Sequence, residues 1–190
     1  MNICSYMENQ TKSINSFNKD KAIGDNGETA VSFLIRSMQD WRCVKFGVEN
    51  HIEQLKEMVR ETFNPVTKKI KSMPDFVAFN TKTKETLFLE VKYRSNSTKG
   101  KYLFRHLNEY NEYWPGTKLI IVRPNEPYFV CIDLDKINRK MKTPLELNPG
   151  EWREYWDFND IEQNIKAIFP ELSEEAINTA IEMIPKKNGK

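Results

Sequence analysis

Cysteine is scarce in this sequence of 190 residues: Cys4, Cys43 and Cys131 are widely spaced and form no CxxC pair. Histidine is scarcer still, and neither His51 nor His106 stands at ligand spacing, so neither a disulfide framework nor a zinc site is indicated. A reducing cytoplasm is the setting this implies. Long apolar runs are also missing. Leu119-Ile120-Ile121-Val122 is far too short to span a bilayer, which leaves no membrane partner to expect. The polar, Asn- and Ser-rich residues 1–20 lack the apolar centre of a signal peptide and are expected to form a flexible, unexported N-terminal segment. Internal repeats are absent. So is a net charge of one sign: 29 Lys and Arg against 27 Asp and Glu leave +2, which argues against a basic coat for nucleic acid.

What is present is core material. Hydrophobic residues make up 39% of the chain and aromatics 12%, enough for one ordinary domain and too much for a disordered one. The charge is unevenly placed. Residues 60–105 carry 11 basic and 4 acidic groups, a net of +7, whereas residues 1–59 and 106–190 are net −1 and −4. A solvated Lys-rich face explains such a stretch, and so does a contact with phosphate.

Apolar periodicity at Val31, Leu34, Ile35 and Met38 predicts a helix, with Asp25 as N-cap and Glu28 as its capping-box partner. A strand is expected over 41–48 and a second helix over 50–62, ended by Asn64-Pro65. Lys68, Lys69 and Lys71 then fall in a linker. Asp75–Phe79 and Thr86–Lys92 read as two strands of a hairpin. Leu103, Leu107, Tyr110 and Trp114 predict a helix from Lys101 to Trp114, and Lys118–Val122 and Tyr128–Asp133 two further strands. Beyond Leu134 the chain reads as helical or irregular, with a final amphipathic set at Ile177, Ala180, Ile181 and Ile184 that serves core packing or a homodimer face. The fold class is α/β: a central mixed sheet flanked by helices over 21–133, with residues 134–190 as a mostly helical C-terminal extension packed on it.

Alternation places Thr86, Phe88, Glu90 and Lys92 on one face of the second hairpin strand. If the hairpin is symmetric about Lys82-Thr83, Asp75 lies directly opposite Glu90, about 5 Å away between Cβ atoms. Two carboxylates so placed repel unless a cation sits between them or one is protonated, and a hard divalent metal is a natural filler. Glu28 follows the buried stripe of its helix and supplies a third carboxylate, unless it only closes the capping box.

Pro74-Asp75, fourteen residues, then Glu90-Val91-Lys92 resembles the signature of the PD-(D/E)xK nuclease superfamily, whose fold is the restriction-endonuclease-like αβββαβ core. The Gly24–Glu28 segment is similar to the extra acidic motif of many members, and the element order is also similar to that of archaeal-type Holliday junction resolvases. The resemblance spans residues 22–122. It implies a metal-dependent nuclease that hydrolyses DNA, as an endonuclease, with RNA as an alternative substrate. Asp75 and Glu90 would bind Mg²⁺ (or Mn²⁺), with Val91 through its carbonyl and Glu28 completing the shell. Lys92 would orient or help deprotonate the attacking water. Many relatives carry a Gln or Lys near the start of the following helix. Here Lys99, Lys101 and Arg105 stand there without a Gln, and with Lys69, Lys71 and Arg94 they are the expected phosphate contacts. The same residues admit two other readings: a non-cleaving nucleic-acid-binding module of this fold, and an interaction protein whose Glu90 and Lys92 merely pair at the surface.

His106 reads as a packed histidine beside the apolar face of its helix. Trp152, Tyr155, Trp156 and Phe158 either anchor the C-terminal segment on the core or stack on bases.

Overall fold

The computed structural model describes residues 22, 24–47, 61–62, 64–95, 101–104, 107–148 and 151–185. Helix α1 covers 24–37 and buries Ala30, Val31, Leu34 and Ile35 along one stripe, as the periodicity predicts. It is already helical at Gly24, so Asp25 lies inside α1 rather than capping it, and its carbonyl accepts from the Thr29 hydroxyl at 2.8 Å. The capping-box reading of Glu28 therefore does not hold. Strand β1 (Trp41–Lys45) follows. Of the helix expected at 50–62, all but Glu61 and Thr62 lies outside the described residues.

The Lys-rich linker is in fact helix α2 (Pro65–Lys71). Asn64-Pro65, read as a stop, is also a start: the Asn64 side chain accepts from the Thr67 N–H, the Thr67 hydroxyl accepts from the Asn64 N–H, and Pro65 fills the first helical position, where no N–H is missed. Asn64→Ala should therefore cost about 1 kcal/mol of stability, measurable by urea denaturation.

Strands β2 (Phe76–Asn80) and β3 (Thr86–Tyr93) form the expected hairpin, with Phe76 opposite Leu89 and Phe79 opposite Thr86. That is the register of symmetry about Lys82-Thr83. Asn80 builds the turn by accepting from the N–H groups of Lys82 and Thr83, both at 2.9 Å, and Lys84 closes it at φ 68°. The next segment departs from expectation. Lys101–Tyr102 is a short strand, β4, and only Leu107–Tyr113 is helical, as α3. Lys101 thus lies on a strand and not on a helix face. The spacing of Leu103, Leu107 and Tyr110 mimics a continuous helix, but Tyr102 is drawn into an aromatic cluster with Phe104 and Phe158.

Strands β5 (Lys118–Val122) and β6 (Phe129–Asp133) complete the main sheet together with β9 (Gln163–Asn164). The six strands run in the order β1-β2-β3-β5-β6-β9, with β3 parallel to β5 and the other neighbours antiparallel. This is the expected α/β class, a mixed sheet flanked by helices. After Leu134 the chain adds a hairpin, β7 (Lys142–Asn148) and β8 (Glu151–Asp157), which pairs with β4 as a separate three-stranded sheet. The described residues after Leu134 are thus less helical than their sequence suggests. Helix α4 (Glu174–Glu182) ends this region and buries Ala176 and Ala180.

The sheet separates two apolar cores. One face carries Phe76, Leu89, Val91 and Ile120 beneath α1 and α4, so the terminal helix packs on the domain itself. The other carries Leu119, Ile121, Val130 and Ile132 beneath α3 and the second sheet, where Trp156 and Phe158 anchor the C-terminal region. Among the described residues no helix is long and apolar enough to cross a membrane.

Candidate active site

Alternation along β3 directs Leu89 and Val91 into the first core and Glu90 toward the second. Glu90 pairs with Leu119 in the parallel ladder and is only 2% exposed. A carboxylate buried this deeply in a strand needs a compensating charge. Lys92, two residues on and on the same face, supplies it: its ammonium contacts Glu90 Oε1 directly and lies 3.9 Å from Asp75 Oδ2. The sequence expectation that Asp75, Glu90 and Lys92 converge is met. The cation between the carboxylates is the lysine itself.

Asp75 stands just before β2, one residue beyond the last ladder pair, Phe76 with Leu89. Its Oδ2 accepts from the Val91 N–H at 2.7 Å, and its carbonyl accepts from the Phe46 N–H at 2.8 Å. Val91 is buried between Glu90 and Lys92, so its backbone ties the two halves of the motif together. Glu28 approaches from the other side of the sheet. A Cβ on its neighbour Gly27 would lie 3.6 Å from Tyr93 Cβ and 3.7 Å from Val122, which places this turn of α1 against the ends of the parallel strands.

Glu28 accepts from Lys45 Nζ at 3.2 Å. Burial, and then the Asp75 charge, raises its pKa above the usual carboxylate value despite that lysine. A carboxyl whose folded pKa is raised contributes stability below its unfolded pKa and loses it as pH rises through the folded value. Glu28→Gln should accordingly raise the melting temperature at pH 7 but not near pH 4, a pair of thermal melts that tests whether folding raises the Glu28 pKa.

Lys92 responds to opposing influences. Burial lowers its pKa, but the charges of Glu90 and Asp75 outweigh that and hold it above the ordinary lysine range. Burial lowers the pKa of Arg94, with Glu90 acting in the opposite sense, and burial followed by the Glu90 charge raises that of Tyr110. Among the described residues, the buried Glu90 Oε2 has no hydrogen-bond partner.

These groups line a cavity of about 590 Å³ between β3, α2 and α3. Lys68, Lys71, Lys92 and Arg94 give it four cations against Glu90 and Glu109. Of the expected phosphate contacts, Lys71 and Arg94 line this cavity. Lys69 does not: its ammonium lies 5.5 Å from the centre of the Trp114 ring, whose Nε1 donates to the Lys69 carbonyl. Lys99 and Arg105 lie outside the described residues, as do His51 and His106, and of Lys101 only the backbone is described.

The chain matches no protein-family model, no curated protein and no solved structure. The geometry of the site has to speak for itself. Among the described residues, no three His, Cys, Asp or Glu side chains form a ready-made metal cage. Sequence reasoning missed Lys68, Tyr110 and Lys45. Lys68 shares a helix face with Lys71 at i,i+3 spacing, a signal invisible while α2 reads as a linker. Tyr110 was visible only as an apolar position, and Lys45 reaches Glu28 through tertiary packing alone.

Proposed function

We propose that the protein is a metal-dependent nuclease that hydrolyses phosphodiester bonds of DNA, acting as an endonuclease. The observation that carries this reading is the convergence of Asp75, Glu90 and Lys92 beside a cavity lined mostly by cations among its charged groups. The motif resembles that of the PD-(D/E)xK superfamily, and the order αβββαβ of α1, β1, β2, β3, α3 and β5, with α2 inserted after β1 and β4 after β3, is compatible with it.

Asp75 and Glu90 offer oxygen donors of the kind a hard divalent cation takes. Glu90 Oε2, buried and without a hydrogen-bond partner among the described residues, is costly for folding and useful as a ligand. Mg²⁺, or Mn²⁺ in its place, would be held by Asp75 and Glu90, with Glu28 and the Val91 carbonyl as further oxygen donors. Such an ion, when bound, lowers the pKa of a coordinated water and neutralises phosphoryl oxygens.

The chain's own groups do the rest. Lys92 remains charged at neutral pH, so it orients the water and stabilises negative charge growing on the phosphate instead of acting as a base. The Val91 N–H fixes the Asp75 carboxylate. Lys68, Lys71 and Arg94 draw the strand backbone into place.

One observation favours a second reading. Because Lys92 already lies against both carboxylates, it can serve as their permanent counter-charge in a module that binds nucleic acid without cutting it. Incubating the protein with supercoiled plasmid in Mg²⁺, Mn²⁺ or EDTA decides between them. Nicking or linearisation in either metal and none in EDTA is the expected result. Intact plasmid in all three, together with salt-sensitive DNA binding, would favour the second reading.

A further inference from the structure

The cavity beside Glu90 is larger and more apolar than a phosphate contact requires. Leu103, Phe104, Leu107 and Leu119 line it together with the cations. Its volume of about 590 Å³ falls in the range of sites that enclose a small organic ligand, roughly 300–1,000 Å³. A phosphodiester backbone offers charge and oxygen, and gains nothing from leucine or phenylalanine. A stacked and paired base offers only its edges. An unstacked base offers a flat apolar face, the surface such a lining can bury.

Arg94 joins the two chemistries. Its guanidinium lies 4.7 Å from the centre of the Phe104 ring, and its N–H groups donate to the carbonyls of Tyr93 at 2.8 Å and Leu103 at 3.4 Å. Phe104 is itself backed by Tyr102 and Phe158, with ring centres 5.8 and 6.0 Å away. The guanidinium plane is thus held in a fixed orientation at the cavity wall, and such planes stack on bases as aromatic rings do. Lys68, Lys71 and Lys92 line the same cavity and bring to it the positive charge that the phosphates flanking one nucleotide call for.

Resting on the nuclease reading, we infer that the cavity takes an unpaired nucleobase next to the phosphate to be cut, so that the substrate is a single-stranded or locally unpaired stretch of DNA. Arg94 supplies the stacking surface, and Leu103, Leu107 and Leu119 enclose the base.

The test separates base from phosphate. Fluorescence anisotropy in EDTA compares a short single-stranded oligonucleotide, its matched duplex, and a strand of abasic nucleotides that keeps every phosphate. The intact single strand should bind at least tenfold more tightly than either of the others. Arg94→Lys, which keeps the charge and loses the plane, should weaken binding of the intact strand several-fold more than binding of the abasic strand and so erase most of that preference for bases. In Mg²⁺, a duplex with an unpaired bubble should be cut at least tenfold faster than the matched duplex.

Equal binding of intact and abasic strands, or an Arg94→Lys variant that keeps the full preference, overturns the inference. Equal cutting of bubble and duplex also overturns it, while the nuclease reading stands. If nothing is cut but the preference for bases remains, the pocket stands and the hydrolytic reading falls.

Discussion

Glu90→Gln should lower metal-dependent cleavage about a thousandfold or more while the fold survives. The substitution keeps the shape of the side chain and removes its charge. What it removes is of little use to folding, since Oε2 is buried with no partner among the described residues and Oε1 is bound to a lysine that can reach solvent. Glu90→Met goes further by exchanging both oxygens for an apolar group beside Leu119, its neighbour in the ladder, and should melt at or above the temperature of the natural protein. Plasmid cleavage and thermal melts read the two effects separately. Loss of stability in both variants with cleavage intact would make Glu90 a structural residue and remove it from the site.

Lys92→Met should reduce cleavage roughly a hundredfold or more and also carry a pH signature. The ammonium is the contact shared by Asp75 and Glu90, and without it the two carboxylates face each other. Because Lys92 has its pKa raised on folding, its stabilising contribution is complete below the ordinary lysine value and is lost as pH rises through the shifted one. At the acid end the contribution fades as the carboxylates lose their charge. The deficit of Lys92→Met should therefore be largest near neutrality and shrink toward both extremes. Side-chain exposure of 35% limits its size to about 1 kcal/mol, or roughly 2–4 °C for a chain of this length. A deficit that does not change with pH would mean that packing alone is lost.

The sequence was most legible where one period governs a whole element. Alternation in Thr86–Lys92, with a polar turn of defined length, is enough to place Asp75, Glu90 and Lys92 together. It was least legible where tertiary contacts override local pattern. Tyr102 belongs to a strand although its neighbours keep helical spacing, because its ring packs among Phe104 and Phe158 and its hydroxyl donates to Glu162 at 2.8 Å. Strand β8 was hidden for a related reason: Glu151–Asp157 mixes charges with Trp152, Tyr155 and Trp156, so no clean alternation marks it. The counter-charge was half legible. Glu90 and Lys92 were seen to share a face, but that the lysine folds back onto the carboxylates is a matter of side-chain geometry.

The turn between β2 and β3 governs chemistry it never touches. Glu90 lies four residues beyond Thr86, roughly 13 Å along the strand from the end of that turn. Because side chains alternate, inserting or deleting one residue among Thr81–Glu85 would shift β3 by one step, carrying Glu90 and Lys92 through to the face beneath α1 and bringing Leu89 and Val91 into the cavity. The same positions tolerate changes of residue type wherever Asn80 still folds the loop and the backbone at Lys84 keeps its positive φ. In this connection the number of residues is under tighter constraint than their identity: a deletion in an exposed turn would silence the site as surely as the loss of a carboxylate.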